Sequence, residues 1–158
     1  MRTCLSLAIN GALLLIGSVA PCIAAEGEVA LTPEQIQLAD VPSYPGMQAA
    51  TLFGSLGKSG MFVLRMKFPP NYVLGPHTHP DDRTITVLSG TWYSGYGDQA
   101  DCSKATVLPQ GSFATIPANA MHFDCTGADG AVIQATGFGP TGTKWLNAAD
   151  DPKIKYAR

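Results

Sequence analysis

The chain has 158 residues, room for one domain of ordinary size. With 46% hydrophobic, 14% charged residues, 17 glycines and 12 prolines, it is neither a disordered chain, which would be poor in apolar residues, nor a coiled coil, which would be rich in Glu, Lys and Leu. A net charge of −2 and ten scattered Lys and Arg offer no basic face of the kind nucleic acid requires.

Residues 1–25 read as a secretory signal peptide. Arg2 supplies the positive start, Leu13-Leu14-Leu15-Ile16 the apolar centre, and Cys22-Ile23-Ala24-Ala25 the small-residue end. Cleavage fits after Ala24 or after Ala25. A membrane anchor is the competing reading, but the apolar stretch is short and holds Asn10, Gly11 and Gly17. A lipid anchor on Cys22 is weaker still, because Pro21 stands where a small residue is wanted. The mature chain is expected to be periplasmic or secreted, with no stable membrane insertion. Its two remaining cysteines, Cys102 and Cys125, are then candidates for one disulfide, against the alternative of two unrelated thiols.

Residues 26–45 form an N-terminal strap. Thr32-Pro33-Glu34-Gln35 is a helix start, with Thr32 as cap, Pro33 at the first turn and Gln35 closing a capping box. Pro42 and Pro45 keep that helix short. Residues 46–146 are short apolar runs divided by turn residues. The predicted strands are 47–53, 61–68, 83–88, 91–96, 105–108, 113–116, 121–125, 131–138 and 143–146. Met61, Phe62, Met66, Phe68 and Phe113 are expected in the core. Strands this short, with turns this regular, predict an all-β antiparallel sandwich or barrel. Residues 147–158 carry charges and Pro152 and are expected to form a surface tail.

The chain has three histidines: His77, His79 and His122. On a strand, residues two apart face one side, so His77 and His79 present their imidazoles together. One histidine alone is more often a satisfied polar group. A His-x-His pair with one further histidine favours a metal site.

These residues resemble the cupins. The first cupin motif places two histidines separated by one residue, a glutamate after three or four intervening residues, and a later glycine. Here His77-Thr78-His79 is followed by Asp81, Asp82 and Arg83, then Gly90. The second motif runs from a glycine to a proline, a second glycine, a histidine and an asparagine. Here the same spacing gives Gly111, Pro117, Asn119, His122 and Thr126. The resemblance implies a double-stranded β-helix, or jelly-roll, barrel with a divalent metal held by His77, His79 and His122. Three imidazoles suit zinc, iron, nickel or copper better than magnesium or calcium.

The departures are informative. The motif's leading glycine falls at Asn71, with Gly75 displaced toward His77, and Asn119 replaces the second-motif glycine. Asn tolerates the left-handed turn conformation. Arg83 stands where the family's glutamate ligand is expected, and a guanidinium cannot bind a metal. Two arrangements could offset its charge. Asp124, two residues after His122, could pair with Arg83 or approach the metal, or Arg83 could turn to Asp81 or Asp82. A free Arg83 beside a metal would favour an anionic substrate. Trp92, Tyr93 and Tyr96 follow on one strand, and one parity of them should line the cavity. The expected function is a metal-dependent enzyme on a small organic molecule. Within the family that is most often a dioxygenase-like oxidoreductase, and otherwise an isomerase or lyase. The alternative is a non-catalytic periplasmic protein that binds or senses a small ligand, with or without metal. Either could be a homodimer.

Overall fold

The computed structural model describes residues 27–156; the signal-peptide reading lies outside them. Nine strands dominate: β1 (Ala39–Asp40), β2 (Gln48–Phe53), β3 (Gly60–Phe68), β4 (Val73–Thr78), β5 (Arg83–Tyr96), β6 (Thr106–Pro109), β7 (Phe113–Ile116), β8 (His122–Gly139) and β9 (Lys144–Trp145). All pairings are antiparallel. No helix among the described residues is long and apolar enough to cross a membrane.

The two long strands organise the rest. The second half of β8 pairs with β3, and its first half pairs with β4. β5 follows β8 along both halves, and carries β7 on its first half and β6 on its second. One layer is therefore β1-β2-β3-β8-β5-β7 and the other is β9-β4-β8-β5-β6. Predicted strands 83–88 and 91–96 are one strand, and so are 121–125 and 131–138. Ser89-Gly90 and the stretch 127–130 do not end them. They are corners at which the β5–β8 pair passes from one layer to the other, with register shifts between Val87 and Ser89 and between Gly90 and Trp92. Gly90 and Gly130 adopt φ of +72° and +70° there. A side chain on Gly90 would run into the Gly130 carbonyl.

Between the layers lie Phe68, Leu74, Ile85, Val87, Trp92 and Ile133, all buried. Phe68 on β3 and Trp92 on β5 meet across the layers with ring centroids 5.0 Å apart. Phe62 and Phe68 are core residues as expected, but Met61 and Phe113 are 42% and 62% exposed. Met61 neighbours Phe62 on β3, so strand parity turns it outward.

The strap keeps its predicted start. Pro33–Gln35 is a single 3-10 turn, and the Thr32 backbone N–H donates to Gln35 Oε1 at 2.8 Å. The C-terminal stretch is not a loose tail. It forms a 3-10 turn at Ala148–Asp150 and a short helix, α1 (Pro152–Lys155). Tyr156 stacks on Tyr72 at 4.5 Å, accepts from the Val73 N–H and donates to the Val73 carbonyl. Cys102 and Cys125 form the disulfide, tying the 3-10 turn Cys102–Lys104 to β8.

Candidate metal centre

His77 on β4 and His122 at the start of β8 are cross-strand partners. Such pairs bring side chains on one face within contact, and the two rings are 4.1 Å apart. His79 lies just past the end of β4, and its backbone carbonyl accepts from the Asn119 N–H at 2.7 Å. That bond joins the loop after β4 to the turn before β8, and it places the third imidazole 5.2 Å from His122. All three histidines are buried. One nitrogen from each can be chosen so that the three lie within 4.8 Å of one another.

The second nitrogen of each ring explains the tautomer. Nδ1 of His77 donates to the Gly75 carbonyl at 2.7 Å, Nδ1 of His79 to the Gly142 carbonyl at 2.7 Å, and Nδ1 of His122 to the Ala120 carbonyl at 2.9 Å. A carbonyl only accepts, so each Nδ1 carries the proton and each neutral ring keeps its lone pair on Nε2. Carbonyl anchoring of the far nitrogen is how proteins orient metal-binding histidines. His122 Nε2 is buried with no hydrogen-bond partner. Burial, then the neighbouring His122 and His79, push the His77 pKa down to about 2. Burial and the Arg83 charge push His79 down to about 3. Both rings are therefore uncharged near neutral pH, the form that binds a cation.

Arg83 turns away from Asp124. Its Nη2 and Nε donate to the two oxygens of Asp81 at 2.7 and 3.2 Å, and Nη2 also donates to Thr141 Oγ1 at 2.7 Å. Thr141 in turn donates to Asp81. The expected Asp124–Arg83 pair does not form. Asp81 lies two residues before Arg83 and reaches it without crossing the cavity. Both protons on Nη2 and the one on Nε are engaged, so Arg83 has no open fork for a substrate carboxylate. Asp81 also offsets the positive charge that would otherwise oppose a bound cation. Asp124 faces the histidines instead: its Oδ2 is 3.8 Å from His122 Nε2, and burial raises its pKa.

No protein-family model matches the chain. A germin-like protein from Mesembryanthemum crystallinum is 36% identical over 81 residues, or 48% of this chain. The chain spans only 34% of the length of that curated relative. Among solved structures, an RmlC-like cupin from Shewanella frigidimarina aligns with a TM-score of 0.56 at 17% identity, covering 70% of this chain and 90% of the other. This chain has the cupin fold. The polyketide cyclase RemF from Streptomyces resistomycificus aligns with a TM-score of 0.63 at 17% identity, over 80% and 90% of the two chains.

Two departures from the cupin motifs are structurally mild. Asn71 and Asn119 stand where the motifs have glycine, and both adopt left-handed backbone, with φ of 53° and 60°. Asn is one of the few side chains that visits this region readily. Arg83 stands at the position of the motif's glutamate, and among the described residues the cluster consists of the three histidines, with Asp124 Oδ2 3.8 Å from His122 Nε2.

The site opens into a cavity of about 420 Å³. Of the three aromatic candidates, Trp92 lines it. Tyr93 has the opposite parity and lies beside the disulfide, in a separate surface depression. Tyr96 is 59% exposed and donates to the Thr115 carbonyl. Several cavity residues escaped sequence reasoning. Trp145 packs on His77 at 4.8 Å, and Tyr44 reaches across the cavity rim to Thr143 at 3.1 Å. Gly142 contributes only a carbonyl, which any residue type carries, so no sequence signal could mark it.

Proposed function

We propose that this cupin is an exported, metal-dependent enzyme that acts on a small molecule inside the barrel. The metal is a divalent transition ion (zinc, iron, nickel or copper) held on Nε2 of His77, His79 and His122. The observation that carries this reading is the convergence of three buried imidazoles whose Nδ1 atoms all face backbone carbonyls. An all-nitrogen donor set suits these metals. Such an ion supplies Lewis-acid polarisation at the positions three histidines leave open.

The chain's own residues supply the rest. The carbonyls of Gly75, Gly142 and Ala120 fix the ring orientations. The buried Asp124 carboxyl group lies beside His122, with Oδ2 3.8 Å from Nε2. Asp81 holds Arg83 to the side. Export is supported by the signal-like first 25 residues and by the disulfide, a bond that persists in oxidising compartments.

Metal content tests the reading. Protein purified without a metal-binding tag is expected to carry close to one transition ion per chain, and His77→Ala less than a tenth of that. Equal metal in the two proteins would overturn it. Export predicts a mature chain beginning at Ala25 or Glu26, read by intact mass from the periplasmic or culture fraction.

A further inference from the structure

Two of the three imidazoles are anchored locally. Nδ1 of His77 meets the Gly75 carbonyl and Nδ1 of His122 the Ala120 carbonyl, each two residues back along the chain. His79 is different. Its anchor, the Gly142 carbonyl, lies 63 residues on. Gly142 belongs to the short link 140–143 between β8 and β9. Whatever holds that link therefore holds the third ring.

A second neighbour competes for the same nitrogen. Thr143 Oγ1 lies 3.5 Å from His79 Nδ1, and it already accepts from the Tyr44 hydroxyl at 3.1 Å, which directs its own proton elsewhere. A carbonyl only accepts, so the Gly142 contact keeps the proton on Nδ1 and the lone pair on Nε2. A threonine hydroxyl can donate, and donation to Nδ1 would put the ring proton on Nε2, the atom a metal needs. Less than an ångström separates the two distances, so the position of the link selects the tautomer.

Arg83 clips the link in place. Its Nη2 donates to Thr141 Oγ1 and to Asp81 Oδ1, both at 2.7 Å, and Thr141 Oγ1 donates to Asp81. The three side chains close a ring of hydrogen bonds. Asp81 lies two residues after His79, so this ring ties the link to the very loop that carries the third histidine. The Arg83 and Asp81 side chains are largely buried, and charge-assisted bonds of this kind are the strong ones. The Arg83 Cζ sits 5.9 Å from the Phe62 ring centroid. Gly137 leaves room for Asp81, since a Cβ there would lie 2.6 Å from Asp81 Oδ2.

We propose that Arg83 is a positioning residue for His79. With Asp81 it fastens Thr141, so that the Gly142 carbonyl rather than the Thr143 hydroxyl holds the ring and Nε2 stays open to the metal. The place the cupin motif gives to a glutamate ligand serves here to set the third histidine. This rests on the metal centre proposed above and assigns what orients its third donor.

The chain has three histidines, and imidazole ¹⁵N spectra distinguish the two neutral tautomers of each. In zinc-free protein all three rings should carry the proton on Nδ1. Thr141→Val cuts the clip while Arg83 keeps Asp81. It should give His79 a mixed tautomer or the Nε2–H form, with His77 and His122 unchanged, and Thr141→Ser should match the parent. Arg83→Met/Asp81→Leu, which removes both partners of Thr141 and strands no charge, should repeat the Thr141→Val spectrum. Zinc affinity, read by competition with a chromogenic chelator, should fall at least about tenfold in Thr141→Val. In a His79→Ala background the same substitution should change it by no more than about twofold, which a general loosening of the barrel would not reproduce. The parent tautomer at His79 in Thr141→Val, an Nε2–H His79 in the parent, or an affinity loss that persists without His79 would overturn the proposal. Zinc refused by the parent protein overturns the metal reading, while the zinc-free spectra still decide this one.

Discussion

His77 and His79 stay uncharged in the folded chain down to about pH 2 and 3. In the unfolded chain each takes a proton near its ordinary pKa of about 6.5. Between about pH 6.5 and 3 the unfolded state therefore binds protons that the folded state refuses. The resulting stability is fully present above about pH 6.5 and is lost as pH falls through that window. Each histidine contributes a slope of up to about 1.4 kcal/mol per pH unit. Denaturant midpoints of chelator-treated protein should fall on acidification, and the His77→Gln/His79→Gln variant should show a shallower dependence. Arg83 and Asp81 make a second test at this scale. Their side chains are 10% and 4% exposed, and removing one member of a buried pair strands the other. Arg83→Gln should cost about 3 kcal/mol in equilibrium unfolding, and Arg83→Gln/Asp81→Asn should recover much of it. Sequence spacing identified the histidines because their chemistry is rare and their separation matches strand periodicity. It did not choose between Asp124 and Asp81 as the partner of Arg83. Both lie within reach on paper, and the choice depends on side-chain direction at the start of β5.

At the scale of elements, the corners at Gly90 and Gly130 bend a paired double strand without breaking it. Gly90→Ala would force a side chain into left-handed backbone and against the Gly130 carbonyl. It should lower stability by at least about 2 kcal/mol, read from the denaturant midpoint. Asn119 gives the opposite contrast. Its φ of 60° is open to glycine, so Asn119→Gly should be near neutral. Asn119→Val should destabilise by at least about 1 kcal/mol and weaken metal retention, because the Asn119 N–H holds the His79 carbonyl. These corners read in the sequence as strand ends, since Gly and Ser ordinarily terminate strands. The predicted strands therefore began and stopped near the right residues, but β5 and β8 were each read as two strands, while β1 and β4 were not read as strands at all. β4 was missed as a strand because Gly75 and Pro76 interrupt its apolar run.

For the whole molecule, the disulfide links residues 23 apart in sequence. It restricts the unfolded chain, and in the loop-entropy model it is worth about 3 kcal/mol. Cys102→Ser/Cys125→Ser should unfold at correspondingly lower denaturant concentration. Cys125 is adjacent to Asp124 on β8, but its sulfur faces the outer side and the histidines do not depend on it. The double variant should therefore match the parent protein in the metal content proposed for the three histidines.

The sequence alone determined the class of fold and the identity of the metal-ligand candidates. Alternating short apolar runs and Gly/Pro turns are local signals, and so is a histidine pair on one strand face. Only the tertiary structure decided which lone pairs converge, that Arg83 belongs to Asp81, and that Trp92 rather than Tyr96 faces the cavity. Those outcomes depend on how β4, β5 and β8 cross and bend relative to one another. That geometry is set by contacts between residues tens of positions apart, which spacing along the chain does not encode.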